Sequence, residues 1–173
     1  MAVLDTTLVA RTARAFASVL RGEVIADPPT RGSSVRRTVG RLGLGAALAF
    51  AGTSHLTTAR EEFQAQVPPW FPADPDTVVL VSGVVEIALG CALLAAPGRR
   101  RAAVGWIVAG FFVAIFPGNI SQLVTRTDAF GLESDTARAV RLVGQPLLVL
   151  WALWSTGAWR ALRAAAAAET VER

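Results

Sequence analysis

Tyrosine and lysine are absent from this 173-residue chain, cysteine, histidine and methionine occur once each, and only 17% of the residues are charged. Each scarcity excludes something. A lone thiol, Cys91, cannot close an intrachain disulfide, which removes the disulfide scaffolds and internal dithiol exchange. Set in an apolar run, Cys91 is expected to be buried and inert. A single histidine, His55, cannot build a metal site, so none is expected, and no ligand set for haem or an iron–sulfur cluster is present. With no lysine, all 17 cations are arginine, and this Arg- and Ala-rich composition fits a GC-rich bacterial genome. Few charges against 53% hydrophobic residues, with a mean hydropathy of +0.46, exclude a soluble enzyme domain and a disordered chain. The net charge of +4 and pI near 11.1 invite a nucleic-acid reading. It is rejected because the arginines lie between apolar runs and form no single stripe. The N-terminus lacks a basic region, apolar core and cleavage site in series, so the first apolar run is expected to do the targeting.

What the chain does have is four apolar runs, at residues 39–55, 77–96, 102–124 and 138–156. Each approaches the ~20 residues that cross a hydrocarbon core as a helix. The expected fold is all-α, a four-helix transmembrane bundle over residues 37–158. Residues 1–36 form a cytoplasmic segment in which Val3, Leu4, Leu8, Phe16, Val19 and Leu20 recur at near-helical spacing between Arg11, Arg14 and Arg21. That pattern suits an amphipathic interfacial helix, with a mobile tail as the alternative. Asp27-Pro28-Pro29 breaks it and Gly32-Ser33-Ser34 reads as a linker. Residues 159–173 are expected to be a cytoplasmic tail fraying into solvent. Gly45, Ala49 and Gly52 share one face of the first run, a small-residue stripe that admits a neighbouring helix. Val67-Pro68-Pro69-Trp70-Phe71-Pro72 forbids regular helix and reads as an interfacial excursion dipping over the bundle. Net charge is +4 over 1–41, −3 over 57–76, +3 over 97–101, −1 over 125–138 and +1 over 159–173. The sign alternates at every crossing and places both termini in the cytoplasm of a bacterial plasma membrane.

Every run carries a polar residue that is costly in hydrocarbon: His55, then Glu86 with Ser82 one turn before it, then Asn119, then Arg141 with Gln145. A charge at the bilayer centre costs roughly 2.5–3.5 kcal/mol on insertion scales, so such groups turn inward and pair. Gly83, Glu86 and Gly90 share a face of the second run. Gly105, Ala109, Phe112, Phe116 and Asn119 share one of the third, and Arg141, Gln145, Leu148, Ala152 and Ser155 one of the fourth. His55, Glu86, Asn119, Arg141 and Gln145 all fall in the outer half of the bilayer. An ion pair between Glu86 and Arg141 is the most economical arrangement. Pro117 and Pro146 each free a carbonyl one turn earlier, which points to a kink beside a pocket. Two readings stand: polar glue between helices, or a ligand site lined by Ser82, His55, Glu86, Asn119, Arg141 and Gln145.

Gly52-Thr53-Ser54-His55, Val67-Pro68-Pro69-Trp70, Val81 to Ile87, Arg99 to Ala103, Phe116-Pro117-Gly118-Asn119-Ile120 and Arg141 to Pro146 together resemble the DoxX family of small bacterial membrane proteins. The resemblance covers residues 38–156. It implies four spans and a redox-associated accessory role, with a membrane complex as partner and quinone as a non-covalent ligand. It assigns no catalytic residue. Gly118 departs from the family's usual Phe-Pro-Ala-Asn and is expected to loosen the kink. The alternatives are a non-enzymatic binder or transporter of a small lipophilic molecule, and an assembly scaffold, in contact with lipids and open to homo-oligomerisation.

Overall fold

A computed structural model of the chain describes residues 6–23, 31–129, 131 and 133–171. Among these residues all regular structure is helical: α1 (Thr6–Leu20), α2 (Arg31–Leu56), α3 (Arg60–Gln64), α4 (Pro75–Ala95), α5 (Arg101–Thr125), α6 (Asp135–Thr156) and α7 (Ala158–Val171). A short 3-10 turn, Gly98–Arg100, joins α4 to α5. Local chemistry sets the boundaries. The Asp74 side chain accepts from the Thr77 amide, and Pro75 supplies a first-turn residue that needs no amide partner. Ser134 caps α6 by accepting from the Ala137 amide. Gly157, at φ 74°, ends α6 in the left-handed conformation that glycine adopts without a Cβ penalty. The expected break at Asp27-Pro28-Pro29 lies outside the described residues. Gly32, Ser33 and Ser34 form no linker, because α2 already starts at Arg31.

Three helices, α4, α5 with its preceding turn, and α6, are long and apolar enough to cross a membrane. The first expected span is different. α2 is 26 residues long, but Arg31, Arg36, Arg37 and Arg41 occupy its first half and glycine and alanine dilute the rest. Arg41 is nonetheless buried: its guanidinium donates to the carbonyls of Leu93 and, at 3.1 Å, Leu94. Those carbonyls belong to the end of α4, where the helix itself offers no donors. The three apolar helices bury polar side chains while leaving large apolar ones exposed, beside an apolar core of Leu93, Val108, Phe112 and Leu153. Val81, Val84, Val113, Val143, Leu147 and Leu150 are exposed, whereas Glu86, Asn119, Gln122 and Gln145 are buried. Cys91 follows the exposed side of α4 and is not buried as its apolar run suggested.

The helices associate in pairs, α2 on α4 and α5 on α6, with few contacts between α4 and α5. Small residues make the first pair possible. A Cβ on Gly52 would lie 2.5 Å from the Gly83 carbonyl oxygen, and one on Gly90 2.6 Å from that of Gly45. Backbone therefore meets backbone at two levels, as the stripe of Gly45 and Gly52 requires. In the second pair Gly105 sits against Thr156, whose hydroxyl donates to the Ala152 carbonyl at 2.6 Å. α1 and α7 pack on each other at one end of this assembly. Ala15 and Val19 of α1, with Ala158, Ala161 and Ala165 of α7, are buried, and Phe16 meets Trp106 of α5 edge-on at 5.2 Å. α1 thus packs Ala15, Phe16 and Val19 against protein, and the C-terminal helix, expected to fray into solvent, is packed as far as Ala165.

Candidate functional site

Between the two helix pairs lies a cavity of about 710 Å³. α2 and α4 form one wall, α5 and α6 the other, and the segment from Phe63 to Phe71 lies over it. This volume is in the range of small-molecule sites. Most of the lining is apolar, from residues such as Leu48, Val79, Phe112 and Leu148. His55, Ser82, Glu86, Asn119, Arg141 and Gln145, the six residues singled out from the sequence, all line it.

The close approach of α2 and α4 places His55 against Ser82 and Glu86. A Cβ on Gly83 would lie 2.8 Å from the His55 Cβ, so the histidine sits where Gly83 leaves room. His55 Nδ1 is 2.9 Å from Ser82 Oγ and 3.4 Å from the Val79 carbonyl oxygen. The Ser82 hydroxyl donates to that same carbonyl at 3.0 Å. With the Ser82 hydroxyl donating to that carbonyl, both neighbours of Nδ1 accept, an arrangement that favours the ring hydrogen on Nδ1. His55 Nε2 faces Glu86 Oε2 at 3.5 Å, an ion-pair distance. Neither atom makes a hydrogen bond, and both residues are more than nine-tenths buried. Phe63 of α3 covers the imidazole with ring centroids 3.5 Å apart.

The opposite wall is polar but self-satisfied. Asn119 Nδ2 donates to Gln145 Oε1 at 3.0 Å, and Gln145 Nε2 donates to the Phe112 carbonyl at 2.8 Å. That carbonyl precedes Val113, the one Pro117 was expected to free. α5 and α6 remain helical through Pro117 and Pro146, so neither proline interrupts its helix. The Glu86–Arg141 pair is not formed either. Glu86 faces His55, while Arg141 donates through Nη2 to Gln66 Oε1 at 2.9 Å and through Nη1 to Gln122 Oε1 at 3.3 Å. The geometric reason is that α4 and α6 stand on opposite walls.

The covering segment is held on three sides. Arg60 pairs with Asp76 through two hydrogen bonds, one of 2.6 Å, and Gln64 joins the same carboxylate at 2.6 Å. The guanidinium of Arg60 is held protonated more firmly than usual by that carboxylate. Gln66 binds Arg141 on α6. A Cβ on Gly118 would come 3.1 Å from the Gln66 carbonyl oxygen, so Gly118 makes room for the cover where it was expected to loosen a kink. Trp70 and Phe71 line the cavity while remaining exposed on their other side.

Sequence reasoning missed Gln66, Phe63 and Gln122. Gln122 is 2% exposed and lies three residues beyond Asn119, a helical spacing that carried the signal. Gln66 and Phe63 lie in a connection where no period guides the eye. Among the described residues no cluster of His, Cys, Asp and Glu holds a metal ion's worth of ligands.

Comparison with curated proteins and with solved structures gives no match. A family model does match residues 44–156, from the middle of α2 to the end of α6, and so contains both walls of the cavity and its cover. By that match the chain belongs to the family described as domain of unknown function DUF8561.

Proposed function

We propose that the chain is a four-span protein of the bacterial plasma membrane, both termini cytoplasmic, whose cavity binds a small lipophilic molecule with a polar head of the quinone class. In this reading it serves as a non-catalytic accessory subunit of a membrane redox complex. The observation that carries the reading is the unequal satisfaction of the cavity's polar groups. Residues that merely hold helices together satisfy one another, as Asn119 and Gln145 do. His55 Nε2, Glu86 Oε2 and Gln66 Nε2 do not: each is buried without a hydrogen-bond partner. Buried polar atoms left in that state call for an explanation, and a ligand head supplies one. The resemblance to DoxX proteins supports the redox setting and the quinone class. The alternating loop charges support the fourth crossing by α2, which the apolarity of α2 alone does not reach.

The test is to purify the protein from native membranes in mild detergent and identify extracted small molecules by mass spectrometry. A quinone-class lipid retained in near-stoichiometric amount, and lost in a folded Glu86→Leu variant, is the expected result. A preparation that retains no such molecule and gains no thermal stability from added quinones overturns it. Stabilisation by other amphiphiles alone moves the assignment to a binder or transporter outside redox chemistry.

A further inference from the structure

We infer that the His55–Glu86 pair is a donor–acceptor clamp for a hydroxyl group, so that the cavity selects the hydroxyl-bearing, reduced form of its ligand over the carbonyl form. The inference rests on the binding site proposed above and specifies its chemistry. With the ring hydrogen on Nδ1, Nε2 of the neutral imidazole presents a lone pair to Glu86 Oε2; with it on Nε2, that nitrogen is already the donor. In the first case two lone pairs facing each other 3.5 Å apart in an apolar enclosure repel unless a proton joins them. One proton therefore belongs to the pair, either on the carboxyl group or on Nε2. The pair then offers one donor and one acceptor side by side, too far apart at 3.5 Å to satisfy each other with a good hydrogen bond.

A hydroxyl satisfies both at once: its oxygen accepts from the protonated partner and its hydrogen goes to the other. A carbonyl accepts only, and leaves one buried lone pair unsatisfied. An ether oxygen has the same defect. Sites that hydrogen-bond a hydroxyl in an apolar pocket discriminate strongly against analogues that lack it, because the site's own groups are then left bare. The remaining charged or titratable group lining the cavity is Arg141 on α6, engaged with Gln66 and Gln122; α5 contributes the neutral Asn119, and α3 contributes Phe63. Among the described lining residues, the clamp is where two helices bring an under-satisfied donor and acceptor together.

The experiment compares three probes on the full chain in lipid nanodiscs: an alkyl hydroquinone, the corresponding benzoquinone and the hydroquinone dimethyl ether. Binding is read by quenching of tryptophan fluorescence and by calorimetry. The expected order is hydroquinone at least tenfold tighter than either analogue. Ser82→Ala, which removes one of the two acceptors that fix the imidazole hydrogen, is expected to narrow the gap while ether binding persists. Glu86→Leu with His55→Leu is expected to abolish the gap. Saturable binding of all three probes with equal affinity overturns the clamp and leaves the binding site standing. No saturable binding of any probe overturns both.

Discussion

Among single residues, the buried polar groups without hydrogen-bond partners are the ones whose substitution should report most on the cavity. The protein's apolar side chains gain little by turning inward if lipid is the solvent, since hydrocarbon surrounds them either way. His55 and Glu86 are the sharpest case. Removing one member takes away the group facing the other at 3.5 Å in an apolar enclosure, whereas removing both removes both buried polar groups. Glu86→Leu or His55→Leu alone is therefore expected to cost about 3 kcal/mol, and the double substitution much less than the sum. A double-mutant cycle of unfolding in mixed micelles measures this, and additive losses would show that the pair does not interact. Gln145 is a contrasting residue, because its two hydrogen bonds are complete. Gln145→Leu is expected to cost about 1 kcal/mol, the scale of interhelical hydrogen bonds in membranes, with no change in probe discrimination.

At the scale of elements, glycine decides which helices touch. Ala at Gly52 or Gly90 drives a methyl group into the backbone of the facing helix, whereas Gly110 has open space around its missing Cβ. Gly52→Ala and Gly90→Ala are expected to destabilise by about 1–3 kcal/mol as overpacked contacts do, and Gly110→Ala to be neutral or stabilising. Equal melting temperatures for the three variants would contradict the close packing of α2 on α4. The cover over the cavity obeys a different logic, since polar links hold it. Arg60→Ala breaks its tie to Asp76, and the expected outcome is faster amide exchange over Phe63 to Gln66 with the exchange of α5 unchanged. Much of this level was legible in the residues: Gly45, Gly52, Gly83 and Gly90 announce a helix contact because only missing side chains permit one. The inward turn of His55, Glu86, Asn119 and Gln145 was legible too, because polar groups in apolar runs have one economical direction. Partner choice was not. Glu86 meets His55 instead of Arg141 because pairing depends on which helices are neighbours, and helical periodicity within a run carries no information about that. That Val67 to Pro72 dips over the bundle was legible from its prolines and aromatics, but what holds it there was not: α3 and Gln66 are tied by long-range links to Asp76 and Arg141, and nothing in residues 57–72 announces either partner.

For the molecule as a whole, the open structural question is the number of crossings, and α2 decides it. α4, α5 and α6 meet the length and apolarity of a span, while α2 begins with four arginines and continues in glycine and alanine. Its low hydropathy has a structural cause: α2 turns its small face to α4, so protein covers much of what lipid would otherwise touch. Arg41 caps the end of α4, which puts the charged half of α2 at the same end of the molecule as Arg99, Arg100 and Arg101. From Arg41 to His55, α2 runs antiparallel to α4, the geometry that the proposed fourth crossing requires. Single cysteines introduced into a Cys91→Ser background test this with a membrane-impermeant maleimide applied to intact cells. Ala73→Cys and Ser134→Cys are expected to label, and Thr12→Cys, Gly98→Cys and Ala167→Cys only after the membrane is opened. Labelling of Thr12→Cys from outside, with Gly98→Cys still protected, would mean that α2 stays on the outer side with the 57–76 connection. The cavity would then have one wall that does not traverse the bilayer, and its ligand would enter from the aqueous face. Protection of Thr12→Cys together with exposure of Ala73→Cys requires the fourth crossing, and leaves the gap between the α2–α4 and α5–α6 pairs as the route from lipid to the cavity.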